Sequence, residues 1–398
     1  MRCRLCHATG LDLVLDLGLQ RPSGHFPSPG DPPRRPTPLQ VHVCYQCGLA
    51  QLFHDIPPEQ QFCGEYGYRS GLNEAMVEHL HLLATESLLL WNQGRRPQAI
   101  LDIGCNDGTL LQQFPEVPVR IGIDPSPWLL ECPDGITRWK GFFPEFAPTD
   151  RRFDLIFTVA MFYDLEEPLV AAQRIHQLLE PEGLWVCEVA DWSTLVREHI
   201  WDGVCHEHLT YWTDGAMQQL AAAADLAIVS VQRNACNGGS VRYYLKHATR
   251  SHARALFQPA PTRIGYQMLQ DGIKTLHGRL QDLLGRYARH GEVVHLYGAS
   301  TKANVLLQAC GIDARLAQAA AERSPTKVGR WTATGIPILD ETTSRAVQPS
   351  AYLVGPWHFR EAILRRERTY PHGGTRFIFP LPHLSSVSVE SHQLSEVR

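Results

Sequence analysis

Four short apolar runs, AILDIG, VRIGIDPS, FDLIFTVA and GLWVCEVA, recur between Gln98 and about Ser230, each followed by a loop or a helical segment. Such alternation builds βαβ units, so the middle of the chain is constrained to a mostly parallel sheet. NGGSVRYYLKH reads as an added strand closing that sheet, and a polar amphipathic stretch from Ala260 to Arg289 as a helical connector. The alternation then resumes, with EVVHLYG, AYLVG and TRFIFPL as strands between the helical segments TKANVLLQACG and FREAILRRERTY. The last dozen residues read as frayed. A length of 398 residues exceeds what one hydrophobic core usually supports, which agrees with two α/β patterns in succession.

The first stretch, to about Ile56, is different in kind. Its RPSGHFPSPGDPPRRPTP segment has little helical periodicity and needs an external staple to hold shape. Cys3 and Cys6 form one CxxC and Cys44 and Cys47 a second, and four thiolates in two knuckles complete the tetrahedral shell of a closed structural zinc site. The alternative is four reduced thiols or two redox pairs. No dense Lys/Arg face with interleaved aromatics accompanies the knuckles, so a scaffold or substrate-gating role is favoured over nucleic-acid binding. From Pro57 to about Arg96 the pattern turns helical, through MVEHLHLLATESLLLW, and Pro97 marks a boundary. The expected domains are therefore 1–56, 57–250 and 251–398.

A cofactor signal lies in LDIGCNDGTLL, where a strand ends at Asp102, runs through Gly104, Asn106 and Gly108, and enters a helix. The glycines let a ligand approach the backbone, and a helix N-terminus favours a carboxylate. About twenty residues on, IGIDPS ends a second strand at Asp124 and Pro125, which sets a carboxylate where ribose hydroxyls would sit. G-x-G-x-x-G is not matched, so S-adenosylmethionine is favoured over a dinucleotide. Phe142 and Phe143 of KGFFPEF could border an adenine or simply fill the core, and Met161 of TVAMFYDLEEP is a further candidate for the cofactor wall.

VCHEHLTYW gathers His206, Glu207 and His208 in one turn beside Cys205 and Tyr211. The spacing is wrong for H-E-x-x-H, so a general base with a carboxylate partner is the functional reading and an exposed polar loop the alternative. In the last third, YGASTKANV sets Ser300, Thr301 and Lys302 at the opening of a helix, a phosphate cradle with one cation. Asn304, Arg323 and His358 either complete a nucleotide-diphosphate pocket there or serve structure.

Composition excludes several classes. With 37 basic and 41 acidic residues the formal net charge is -4, which calls for neither a polyanion nor a membrane partner. MRCRLCHATG has no apolar leader region, and LAAAADLAIVSV falls short of the roughly 20 residues that span a bilayer, so a cytoplasmic location is expected. Eleven cysteines are too few for a disulfide scaffold.

Taken in order, the two CxxC knuckles, EYGYRSGLNEAM, LDIGCNDGTLL, TVAMFYDLEEP, VCHEHLTYW, NGGSVRYY, YGASTKANVLLQACGI and GPWHFR resemble the sugar C-methyltransferases of deoxysugar pathways over the full length. The resemblance implies an α/β protein: a class I methyltransferase Rossmann-like domain, an N-terminal zinc-binding domain and a C-terminal incomplete Rossmann-like domain. It implies S-adenosylmethionine and structural zinc as cofactors, and as substrate a nucleotide-linked keto sugar whose nucleotide the last domain holds. His208 then matches the family's base, with Glu207 beside it, and Tyr66 and Tyr68 match its catalytic tyrosines. Cys205, Asn237 and Gly239 join Ser300, Lys302, Asn304, Arg323 and His358 as candidate substrate contacts. Some members carry Tyr where this chain has Cys205, and the segment VGRWTATGIPI also departs from the family pattern, which bears on the substrate more than on the reaction. Two rival readings are a methyltransferase with another O-, N- or C-acceptor and a zinc-ribbon binding protein without activity. Monomer and homodimer both remain open.

Overall fold

The computed structural model describes residues 1–32, 34–54, 56–64, 66–91, 94–146, 151–248, 258–370, 373–390 and 393–397. The chain gathers into two units, one from residues 1–13, 41–194 and 208–261 and the other from 14–40, 195–207 and 262–398. The divisions fall within strands β1 (Asp12–Gln20) and β2 (Thr37–Val43), so the N-terminal segment contributes to both units.

In the first unit, the end of β2 pairs antiparallel with β3 (Ala50–Gln51), through His42 with Gln51 and Val43 with Ala50. Two helices follow, α1 (Pro58–Phe62) and α2 (Glu74–Trp91). The single helical stretch expected from Pro57 to Arg96 is thus broken in two. GEYGYRSG, with three glycines in eight residues, is a poor α-helix former, and Tyr66 and Tyr68 lie there outside any helix, just before a 3-10 turn at Ser70–Leu72. On α2 the buried side chains Met76, Leu80, Leu83, Ser87 and Trp91 recur every three or four residues, the spacing of one helical face.

The main sheet of this unit is built from β4 (Ala99–Ile103), β5 (Val119–Asp124), β6 (Thr137–Lys140), β7 (Phe153–Val159) and β8 (Leu179–Ala190), all parallel, with α3 (Pro168–Leu178) crossing between β7 and β8. After α4 (Trp192–Arg197), β9 (Thr210–Tyr211) and α5 (Asp214–Ala223), the strands β10 (Leu226–Asn234) and β11 (Ser240–His247) complete it. The order is β10-β11-β8-β7-β4-β5-β6, with β11 antiparallel to both its neighbours. This order fits the class I methyltransferase domain that the resemblance implies. NGGSVRYYLKH does not close the sheet as expected but lies one strand in. The first six residues of β11 are all buried, whereas most of β10 is half-exposed, and the edge belongs to the strand with less to bury.

Side chains alternate across the sheet as the pleat requires. Leu101, Ile103, Ile156, Trp185, Cys187 and Tyr243 enter one core with α3 and α5, while Ile100, Leu155, Phe157, Val186 and Tyr244 enter the other with α2. The four knuckle cysteines pack into the first of these cores beside Trp212 and Met217, so the zinc-knuckle segment borrows its apolar support from the sheet.

The second unit contains α6 (Arg263–Arg289), whose stripe of Tyr266, Leu269, Ile273, Leu276, Leu280 and Leu284 is buried and whose N-cap Thr262 accepts the Gly265 amide. Its sheet, β14-β13-β12-β15-β16-β17-β18, has five parallel strands and then two antiparallel ones. The parallel strands are β12 (Val294–Tyr297), β13 (Ala319–Glu322), β14 (Ile338–Asp340), β15 (Ala351–Val354) and β16 (Arg376–Phe379). Helices α7 (Thr301–Ala309), α8 (Glu341–Ala346) and α9 (Arg360–Glu367) connect them. β17 (Ser385–Glu390) and β18 (Gln393–Val397) form a terminal hairpin, where the sequence had suggested fraying. The edge offered by β16 gives this tail backbone partners that its composition does not announce. No helix among the described residues is long and apolar enough to cross a membrane.

Candidate functional site

At the carboxyl ends of β4, β5 and β7 the first unit opens into a cavity of about 440 Å³, the position at which parallel sheets bind ligands. Its wall includes Asp102, Gly104, Asn106, Asp124, Pro125, Phe142, Phe143 and Met161, together with Tyr66 and Tyr68 from the loop between α1 and α2. Eight of the nine cofactor candidates thus meet in one place. Gly108 is not in the wall. A Cβ there would lie 2.9 Å from Cys132 Sγ, so its lack of a side chain serves packing. At Gly104 the backbone has φ +76°, and a Cβ would lie 2.6 Å from Met161 Cγ, so glycine answers both a left-handed turn and a close approach.

The glycine loop does not enter an α-helix as expected. It leads into a short 3-10 turn at Leu111–Gln113, too brief to supply a helix dipole. The loop is held by Asp124 instead, whose Oδ2 accepts the Asn106 amide and whose Oδ1 accepts the Ser126 amide, each at 2.8 Å. Burial pushes the Asp102 carboxyl well above its ordinary range, and the charges of Cys132 and Asp124 add to the effect. Burial raises Asp124 as well, against the opposing hydrogen bonds from Ser126 and Asn106. The wall therefore presents carboxyl groups that burial disfavours as anions, a cost that a hydroxyl or ammonium donor on a bound ligand would offset. Glu59 and Phe62 of α1 and the acidic run Asp164, Glu166 and Glu167 also line it, and sequence reasoning did not single them out. PPEQQF, a helix start opened by proline, was the available signal for the first pair.

The HEH turn divides its labour. His206 is fully buried with Nε2 3.3 Å from the Thr37 carbonyl, and burial lowers its pKa. Glu207 accepts from the Gly24 amide at 2.7 Å and from Ser23 Oγ at 3.2 Å, so these hydrogen bonds tie it to the proline-rich segment and not to a histidine. His208 is half-buried, and its ring lies 4.1 Å from that of Tyr163 and 6.3 Å from that of Tyr211, centroid to centroid. Tyr163 stands between Met161 and Asp164, both of which line the cavity.

The remaining candidates separate into supports and a polar cluster. Ser300 caps α7 by accepting the Ala303 amide, and buried Asn304 donates to the Ser23 carbonyl and accepts from the Ala333 amide. Both groups are committed to structure. Gly298, at φ +82°, gives Pro356 room, since a Cβ would lie 2.7 Å from its Cδ. Lys302 opens α7 near Asp202, which accepts the Trp357 indole N–H at 2.6 Å. Burial holds the His358 imidazole well below its ordinary pKa, and the charge of Lys302 adds to this, so the ring is neutral. Arg323 is exposed at the end of β13, and Cys205 is buried. Asn237 and Gly239 lie in the first unit, in the turn between β10 and β11, both with positive φ.

At the knuckles, Cys3 and Cys47 sulfurs are 3.4 Å apart, Cys6 and Cys44 sulfurs 3.5 Å, and all four fall within 4.8 Å of one another. A zinc tetrahedron with bonds of about 2.3 Å has edges of about 3.8 Å, so the four thiols fit one ion.

A family described as C-methyltransferase C-terminal domain matches residues 235–382, a methyltransferase domain matches 68–231, and a zinc binding domain matches 3–62. The chain is an S-adenosylmethionine-dependent C-methyltransferase. The C-methyltransferase NovU of Streptomyces niveus is 26% identical over 414 aligned positions, covering 98% of this chain and 97% of its own. Among solved structures, a methyltransferase in complex with the Haloferax volcanii Trm112 activator matches 44% of this chain and 93% of its own, at 16% identity and a TM-score of 0.37. An S-adenosylmethionine-dependent methyltransferase of Clostridium acetobutylicum matches 44% of this chain and 92% of its own, at 12% identity and a TM-score of 0.36.

The four-cysteine geometry predicts about one tightly held zinc per chain with a structural role. Metal analysis of purified Cys44→Ser protein should show that ion lost, and circular dichroism and proteolysis should show the N-terminal segment opened. Full folding of Cys44→Ser without metal would contradict it.

Proposed function

We propose that this C-methyltransferase acts on a nucleotide-linked keto-deoxysugar and methylates a carbon next to the ketone. Such a carbon is acidic enough to be deprotonated by an imidazole, provided the enolate is held in a closed site with its acceptor methyl in line. S-adenosylmethionine supplies that methyl as an electrophilic sulfonium group. Asp102, Asn106 and Asp124 in the cavity wall hold its polar groups, and Phe142, Phe143 and Met161 cover its apolar surfaces.

His208 is the base in this reading. The observation that supports the assignment is its packing against Tyr163, the chain neighbour of Asp164, which lines the cavity. It takes the proton onto its ring nitrogen, while Tyr66 and Tyr68 of the cavity wall are the hydroxyl groups assigned to the developing enolate oxygen. Glu207 acts at one remove, fixing the backbone of Ser23 and Gly24. The substrate's nucleotide lies with the second unit, where Lys302 and the Ser300 end of α7 offer one cation and helix amides to phosphate, and neutral His358 offers a hydrogen bond without added charge. The resemblance to deoxysugar enzymes and to a named C-methyltransferase supports the substrate class.

Two variants test the reading. Asp124→Ala should weaken S-adenosylmethionine binding by roughly 1.5–3 kcal/mol, the range for a hydrogen bond to a charged group, as measured by calorimetry; unchanged affinity removes Asp124 from the site. His208→Asn should keep cofactor binding while turnover falls by roughly 10²–10⁴-fold, together with exchange of the substrate's α-proton into deuterated water. Retained exchange in His208→Asn, with loss in His206→Asn, would move the base to the neighbouring histidine.

A further inference from the structure

Besides the knuckle cysteines, one more group of metal-ligating side chains converges among the described residues. His79 of α2, Glu188 of β8 and Cys236 in the turn after β10 bring one nitrogen, one oxygen and one sulfur within 4.8 Å of one another. None of the three belongs to the methyl-transfer assignments above. The His79 Nε2 to Glu188 Oε1 distance is 2.6 Å, and Glu188 is 2% exposed. The other carboxylate oxygen, Oε2, is fixed by the Arg242 guanidinium at 2.8 Å and the Asn234 amide at 3.0 Å. The Cys236 amide is bound in turn by Asn234 Oδ1 at 2.9 Å.

We propose that His79, Glu188 and Cys236 form a second site, for a divalent transition ion of the zinc class, with three protein ligands and a fourth position open to water or a small oxygen ligand. The argument rests on ligand chemistry and support. Imidazole, carboxylate and thiol together suit zinc and its neighbours and not magnesium or calcium. Three protein ligands with an open position distinguish the site from the closed shell of the four knuckle thiols. Arg242 and Asn234 do for Glu188 what outer partners do for metal-bound carboxylates: they fix its orientation and leave one oxygen facing the other ligands. Asn234 does so for the cysteine turn as well. Binding displaces the proton between His79 and Glu188 and the thiol proton, both released to solvent. His79 lies on α2 between Met76 and Leu80, which line the cofactor cavity, so an ion held here stands beside the methyl-transfer site without belonging to it.

The test is a titration of full-length protein, its knuckle zinc in place, with Co²⁺ alone. The wild type should take up about one further ion and develop a thiolate-to-cobalt charge-transfer band in the near ultraviolet, with its zinc content unchanged. Cys236→Ser, and separately His79→Gln, should abolish the band or weaken the affinity at least roughly tenfold while zinc content and thermal midpoint hold. If Cys236→Ser lowers the midpoint, Cys236→Ala serves for the same reading. The proposal is overturned if the band persists in the variants, if it grows only as zinc leaves the knuckles, or if the wild type binds no cobalt beyond the knuckle site.

Discussion

Asp124 ties together the two loops on which the cavity of the first unit depends. Its carboxylate accepts the Asn106 amide from the loop after β4 and the Ser126 amide from the loop after β5, so both backbones turn about one side chain. The loop after β4 carries three residues at positive φ, Gly104, Asn106 and Gly108, which only a fixed anchor keeps in register. Asp124 also lines the cavity. The side chain that holds the two turns is therefore part of the wall they form.

The cavity's outer wall depends on a different constraint. The loop with Tyr66 and Tyr68 has little apolar content of its own, and it is held through Asn106 and Asp107. Ser70 donates its amide to Asn106 Oδ1, Gly71 donates its amide to Asp107 Oδ2, and Arg69 adds an ion pair with Asp107. Tyr68 nevertheless remains 43% exposed. Burial around its hydroxyl still pushes that phenol up to about 12. The knuckle segment is supported in a similar way, since Leu5, Leu49 and the cysteines insert into a core that the sheet already provides.

Much of this was legible in the sequence because it is written in local patterns. Apolar runs with glycine and aspartate at their ends disclosed the parallel sheet and most of the cavity wall, and two CxxC pairs disclosed the knuckle. Long-range commitments were not legible. Nothing in VCHEHLTYW says that Glu207 turns to Ser23 and Gly24, or that His208 lies on Tyr163, because those partners come from distant segments. Asn304 looked like a ligand contact for the same reason, a polar residue after a phosphate-cradle turn, yet its amide bridges two backbone segments. The 3-10 turn after the glycine loop was equally hidden. LLQQF has adequate helix formers, but Pro115 stops the helix before it lengthens.

The fate of the transferred methyl tests the account most directly. Incubation of the enzyme with methyl-¹³C S-adenosylmethionine and a panel of nucleotide-linked keto sugars, followed by carbon NMR of the product, reports which atom the methyl joins. The account predicts a new carbon–carbon bond at a position next to the ketone, with one α-hydrogen lost from the substrate. A product whose label sits on oxygen or nitrogen would contradict it.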